Sequence, residues 1–243
     1  MAVVSQVLQA VYFDITKVGS SSLKEMLWEL DRGVPFKGRG AKRVYNNLHW
    51  RLARAKLVRA RNIHEQNGYR TQIFQKAVVP DGFATFTLVR DPVARLQSAW
   101  RDKVHRNQFR WRDEEMDIEN EGLPLDPTFG EFIDHFHDYR AVSRPVRVHT
   151  TPYSWHLGPD LKFFDHVFRL ESVNDMYAFL SERLGRPFPV QHVNKSKAGP
   201  RDSSLTARQI DALLEITQPD YDLLGSRYDI EDAGRRLRAQ LGR

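Results

Sequence analysis

Two stretches of this chain pass from a strand-like to a helix-like hydrophobic pattern within a few residues, and they restrict the fold more than any other feature. Val11 to Ile15 (VYFDI) is rich in β-branched and aromatic residues and reads as a short strand. After the turn Thr16–Gly19, the residues Leu23, Met26, Leu27 and Leu30 recur at i, i+3, i+4 and i+7, the stripe of an amphipathic helix that Gly33-Val34-Pro35 ends. Phe83 to Val89 (FATFTLV) repeats the transition. Asp91 stands where an N-cap belongs, Pro92 at the first helical position, and Val93, Leu96 and Trp100 give the helix its apolar face. Thr128-Phe-Gly-Glu131 reads as a capping box before Phe132, Ile133 and Phe136, and Thr206-Ala-Arg-Gln209 opens a helix carrying Ile210, Leu213 and Leu214. His166 to Leu170 reads as a strand, Ser172 as the cap of a helix to Leu184 closed by Gly185, and Leu48 to Ala60 as a basic helix. Strands alternating with helices predict an α/β fold, a mainly parallel central sheet with helices on both faces.

A chain of 243 residues suits one sizeable domain spanning 1–243. No run of about 18 apolar residues is present, so no transmembrane segment is expected. The start, MAVVSQVLQAVYFD, lacks the basic opening and apolar core of a secretory signal. The absence of cysteine rules out disulfides and thiolate metal sites and fits a cytoplasmic protein. The net charge of +6 points to an anionic partner. Basic residues run from Arg32 to His64 without an acid among them, whereas Asp113 to Glu121 is strongly acidic. Such runs suit a solvated face as well as a surface for a nucleotide, an acidic glycan or a nucleic acid, although no recognisable nucleic-acid motif occurs.

Two segments carry anion chemistry. The first, Asp14-Ile-Thr-Lys-Val-Gly-Ser-Ser-Ser-Leu23, joins strand to helix. A helix N-terminus presents N–H groups and partial positive charge, Gly19 permits close backbone approach, the hydroxyls of Ser20, Ser21 and Ser22 add donors, and Lys17 adds a full charge. The lysine precedes the glycine, so this is not the Walker A order. The bland alternative is a serine-rich turn that caps a helix. The second segment, Thr87 to Ser98 (TLVRDPVARLQS), puts Arg90 at the end of a strand and Ser98 two turns into the next helix. Ligands of parallel sheets gather at strand C-terminal ends, and the arginine fork suits phosphate oxygens. An arginine can equally hold a carboxylate, the reading preferred here for Arg95.

Together these motifs resemble the PAPS-dependent sulfotransferases (PAPS, 3′-phosphoadenosine-5′-phosphosulfate), in particular the carbohydrate-sulfotransferase branch. TKVGSSSL is similar to the family's 5′-phosphosulfate loop, PKTGSTSL or close to it, and TLVRDPVARLQSAW to its RDPxxRxxS segment for the 3′-phosphate. The resemblance continues through His149-Thr-Thr-Pro152, Phe164 to Glu171, His192-Val-Asn-Lys-Ser196 and Asp220 to Gly225, and spans roughly Val11 to Tyr228. Thr16 replaces the usual proline and Val18 the usual threonine. The membrane anchor and cysteines of eukaryotic relatives are missing, which suggests a soluble version.

The resemblance implies roles for particular residues. Arg90 and Ser98 would hold the 3′-phosphate, Gly19, Ser20, Ser21 and Ser22 the phosphosulfate, and Lys17 would neutralise charge on the leaving phosphate. Lys195 and Ser196 would belong to a loop closing over the nucleotide, a solvated loop being the alternative. The acceptor would be a hydroxyl on a carbohydrate or glycoconjugate. Its proton needs a base, for which His64 is preferred over His49 and Glu65, with an ordinary surface histidine as the alternative. Tyr153 and Trp155 either line a sugar or are simply buried. The scheme requires no metal, and His135 and His137, an HxH pair, would point apart on a helix. A nucleotide or small-molecule kinase with an atypical loop would share the α/β sheet, but neither Walker A order nor a magnesium carboxylate can be placed. A non-enzymatic polyanion-binding module would use the basic run and leave Lys17 and Arg90 unexplained.

Overall fold

The computed structural model describes residues 2–36, 62–71, 74, 79–105, 117–189 and 204–241. They fall into two compact units. The expected basic helix over Leu48–Ala60 lies outside the described residues, as does most of the basic run.

The first unit holds a four-stranded sheet in the order β1-β2-β3-β4, formed by Val3–Ser5, Ala10–Phe13, Ala84–Val89 and His166–Arg169. β1 pairs antiparallel with β2; β2 and β3, and β3 and β4, pair parallel, with Tyr12 opposite Phe86 and Phe86 opposite His166. Adjacent strand residues face opposite ways, so each strand feeds both faces. On one face Tyr12 stacks on Phe86, and Phe86 and Phe168 meet Phe179 of the helix α7, Val173–Leu184. On the other, Phe13 meets Phe74, Phe163 and Phe164 edge-on or tilted. Helix α1, Ser20–Arg32, buries Leu23, Met26 and Leu27 and stops at Gly33, whose φ of 66° is left-handed. β2 ends at Phe13, short of the expected Ile15, because its ladder with β3 stops at the pair Phe13–Thr87; Asp14, the next residue, sets its carboxylate against Lys24. Helix α7 ends at left-handed Gly185 as expected, but Ser172 makes no side-chain capping bond.

The second unit is helical: α2, Pro92–Trp100; α3, Phe129–Asp134; α4, Phe136–Val142; α5, Arg144–His149; α6, Tyr153–Leu157; α8, Ala207–Leu224; and α9, Ile230–Arg238. Asp91 caps α2 by accepting from Ala94 N–H at 2.9 Å, with Pro92 in the first turn. Both expected capping boxes form, Thr128 with Glu131 and Thr206 with Gln209. His135 stands at the junction of α3 and α4. The core joins Leu96, Trp100, Phe129, Phe132, Phe136, Tyr139 and Leu213.

Phe132 has no solvent exposure in that core. Phe132→Ala should therefore cost about 3–5 kcal/mol, read as a lowered urea midpoint. Val148→Ala, at a residue 43% exposed, should stay within about 0.5 kcal/mol.

Candidate functional site

The serine-rich segment divides between the units, Thr16–Val18 belonging to the second and Gly19 onward to the first. In the first unit, Gly19 is the N-cap of α1 at φ 83°, a conformation that favours glycine. It makes no side-chain cap, and the first turn contains no acid. The helix therefore opens on backbone N–H groups and serine hydroxyls with no fixed negative charge in the same turn. Ser20 is buried, whereas Ser21 and Ser22 are half-buried.

Behind this turn lies a polar network that supports Ser21. Lys24 has no side-chain exposure and its Nζ lies 2.6 Å from Asp14 Oδ2. The same ammonium donates to the Tyr69 carbonyl at 2.7 Å and to Thr71 Oγ1 at 3.1 Å, and approaches His64 Nδ1 at 3.2 Å. Thr71 donates its own proton to Asp14 Oδ2 at 2.6 Å. Burial pulls the Lys24 ammonium below the ordinary lysine range, and Asp14 opposes that shift. His64 is held at its backbone by Asn62 Oδ1, and its Nε2 lies 2.7 Å from Ser21 Oγ.

In the second unit, Lys17 has a φ of 70°, rare for a side-chain-bearing residue and costly by about 1–2 kcal/mol. Its Nζ lies 2.8 Å from Asp102 Oδ2, which Lys103 also meets at 3.1 Å. Burial lowers the Lys17 pKa, Asp102 opposes that, and Lys103 and Arg90 add to the lowering. His149 Nδ1 donates to the Pro145 carbonyl at 2.8 Å, leaving the Nε2 lone pair. Burial, then Lys103, hold this histidine neutral down to about 4, against the opposing Pro145 bond.

Arg90 is fixed through its backbone. Buried Tyr153 accepts from Arg90 N–H at 2.9 Å and donates to the Arg90 carbonyl at 2.8 Å. Tyr153 N–H donates to Asp220 Oδ1 at 2.7 Å, and Arg95 lies over the Tyr153 ring. Arg95 meets Asp220 Oδ2 at 3.1 Å and also donates to the carbonyls of Thr16 and Thr151. Arg95 thus holds a carboxylate, as preferred from the sequence, and Tyr153 is buried structure rather than a sugar platform. Trp155 is 55% exposed.

Among the expected site residues, Ser21 and His64 meet directly, and Arg90 reaches the Lys17 carbonyl at a long 3.5 Å. Ser98 lies half-buried on α2 and Glu65 is exposed beside His64. His49, Lys195 and Ser196 lie outside the described residues. The sequence reading missed Lys24, Thr71 and Asp102. A lysine beside Leu23 and one turn before Leu27 was a legible signal for the first; the other two carry none. Val18 is fully buried, which suits an apolar residue where the family has threonine.

Asp102 yields a pH prediction. Burial pushes its carboxyl up, but Lys17 and Lys103 outweigh that and hold it at about 2, below the ordinary 3.8. A depressed carboxylate stabilises the fold fully above its unfolded pKa, and that contribution disappears as pH falls through the folded value. The melting-temperature gap between the native chain and Asp102→Asn should be constant above about pH 5 and close between about pH 4 and pH 2. A gap that does not change across this window would remove the ion pair as its source.

The family model for the sulfotransferase family matches residues 1–226. No curated protein and no solved structure matches the chain. The match covers both the segment from Asp14 to Leu23 and that from Thr87 to Ser98, with nearly all of the described structure, and it favours sulfuryl transfer over the kinase and polyanion-binding alternatives. The chain belongs to the sulfotransferase family.

Proposed function

We propose that this transferase moves the sulfuryl group of PAPS onto a hydroxyl of a carbohydrate or glycoconjugate, acting as a single cytoplasmic domain built on a P-loop-like nucleotide-binding core. The observation that carries the reading is the start of α1, where left-handed Gly19 opens a helix with serines and no acid in its first turn. That arrangement fits a phosphosulfate, because an anion meets N–H and O–H donors and a favourable dipole. In this reading Gly19, Ser20, Ser21 and Ser22 hold the phosphosulfate, Arg90 and Ser98 hold the 3′-phosphate, and Lys195 and Ser196 close over the nucleotide. The acceptor oxygen bonds to sulfur as the sulfur–oxygen bond to the 5′-phosphate breaks, and PAP (3′-phosphoadenosine-5′-phosphate) leaves. Lys17 offsets the charge gathering on that phosphate. Its depressed pKa and left-handed backbone mark it as a residue held in place for a task.

The resemblance makes His64 the acceptor of the hydroxyl proton. Its contact with Ser21 favours a second reading, in which His64 supports the phosphosulfate loop and another group takes the proton. His64→Gln separates them, because it can keep an N–H near the Nε2 place and cannot act as a base. A base would lose about 10²–10⁴ in turnover with PAP affinity retained. A loop support would instead show weakened PAP binding in His64→Ala that Gln restores.

PAP should bind more tightly than AMP, and Arg90→Ala should weaken PAP by about tenfold or more while changing AMP little. Equal calorimetric affinities for PAP and AMP would remove the 3′-phosphate site from this chain. Lys17→Ala should reduce kcat more than it raises KM for PAPS, since its charge is needed chiefly as the leaving phosphate forms. A variant with intact turnover and a binding defect alone would take Lys17 out of the chemistry.

A further inference from the structure

We propose that a relay of hydrogen-bond donors runs from Lys24 through His64 to Ser21, so that His64 rests as its Nε2–H tautomer and turns the Ser21 hydroxyl proton toward the bound anion. The assignment follows from counting donors and acceptors. Thr71 has one proton, and it goes to Asp14 Oδ2 at 2.6 Å. Lys24 has donors for Asp14 Oδ2 at 2.6 Å and for the Tyr69 carbonyl at 2.7 Å. Its remaining donor faces Thr71 Oγ1 at 3.1 Å and His64 Nδ1 at 3.2 Å.

An ammonium carries no lone pair, so the ring nitrogen facing it is stabilised as an acceptor. The other tautomer would let Nδ1–H donate to Thr71 Oγ1, which lies 3.2 Å away. It would also set an N–H dipole against the Lys24 ammonium at the same 3.2 Å, inside a site where Lys24 has no exposure. Low local dielectric enlarges that repulsion. With its proton on Nε2, His64 donates to Ser21 Oγ across 2.7 Å. Ser21 then receives a hydrogen bond from behind and has its own proton left for a partner in front. Each link polarises the next, so the buried ammonium strengthens a hydroxyl donor at the start of α1. In this relay His64 supports the loop rather than acting as the base, so His64 and Lys24 are positioning residues and Ser21 is the group that meets the ligand.

Only the identity of the anion rests on the PAPS reading; the tautomer does not. It is measured on the native chain without nucleotide, because removing Lys24 would strand a buried Asp14 carboxylate and threaten the fold. Long-range ¹H–¹⁵N correlation at about pH 8, above the ordinary histidine range, should show a protonated Nε2 and a bare Nδ1 for His64, with the signal assigned by its loss in His64→Gln. A protonated Nδ1 overturns the relay. A double-mutant cycle then reads its effect on PAP affinity. His64→Ala should weaken PAP about threefold to tenfold in the native background and add little once Ser21→Ala is present. Losses that simply add overturn the link between His64 and Ser21. If the native chain binds no PAP, the PAPS reading fails, and the tautomer still decides the relay.

Discussion

A lysine ammonium sealed from water is tolerable only against a carboxylate and a full set of acceptors, and Lys24 has both. Its pair with Asp14 joins the end of β2 to the first turns of α1 and draws in Tyr69, Thr71 and His64. The first unit's half of the serine-rich segment depends on that arrangement. Asp14 follows directly on the last residue of β2, and the network around its pair with Lys24 sets His64 with a ring nitrogen against Ser21. Breaking such a pair by removing one partner typically costs about 3–5 kcal/mol, because it leaves an uncompensated buried charge.

The second unit solves a similar problem with an arginine. Arg95 and Asp220 are far apart in sequence and form a buried pair, and Tyr153 is bound to both Asp220 and the Arg90 backbone. Burial raises the Asp220 carboxyl pKa and Arg95 opposes the shift, so the guanidinium keeps the acid available as an acceptor. Asp91 works in the same way, capping α2 with one oxygen and meeting Tyr221 and Arg236 with the other. Several motif residues that suggest chemistry in the sequence are thus the framework that holds Arg90 still. A sulfotransferase asks its protein mainly for positioning and charge stabilisation, and rigid surroundings for a few cations meet that demand.

Much of this was legible in the chain. The Asp91-Pro92 start, the capping boxes at Thr128 and Thr206, and the glycine stops at Gly33 and Gly185 are local, because each depends on backbone groups only a few residues away. The parallel pairing of β2 with β3 followed from the alternation of strands and helices. The short β1 and the end of β2 at Phe13 were not legible, since the extent of a strand is decided by the backbone groups of its neighbours in the sheet. Thr71 and Asp102 carried no sequence signal, because ordinary polar residues acquire a role only from what the fold places beside them.

The sequence by itself determined where α2, α3 and α8 begin, where α1 and α7 end, that β2, β3 and β4 alternate with helices, and that its motifs stand in the order of a sulfotransferase. Those properties depend on side-chain period, capping chemistry and residue order, all of which are written locally. Tertiary structure alone decided that Lys17 rests on Asp102, that Arg95 holds Asp220, and that His64 stands between Lys24 and Ser21. Each of those is a pairing between residues remote in sequence, and for Lys24 and Arg95 burial makes such partners necessary because water cannot satisfy the charge.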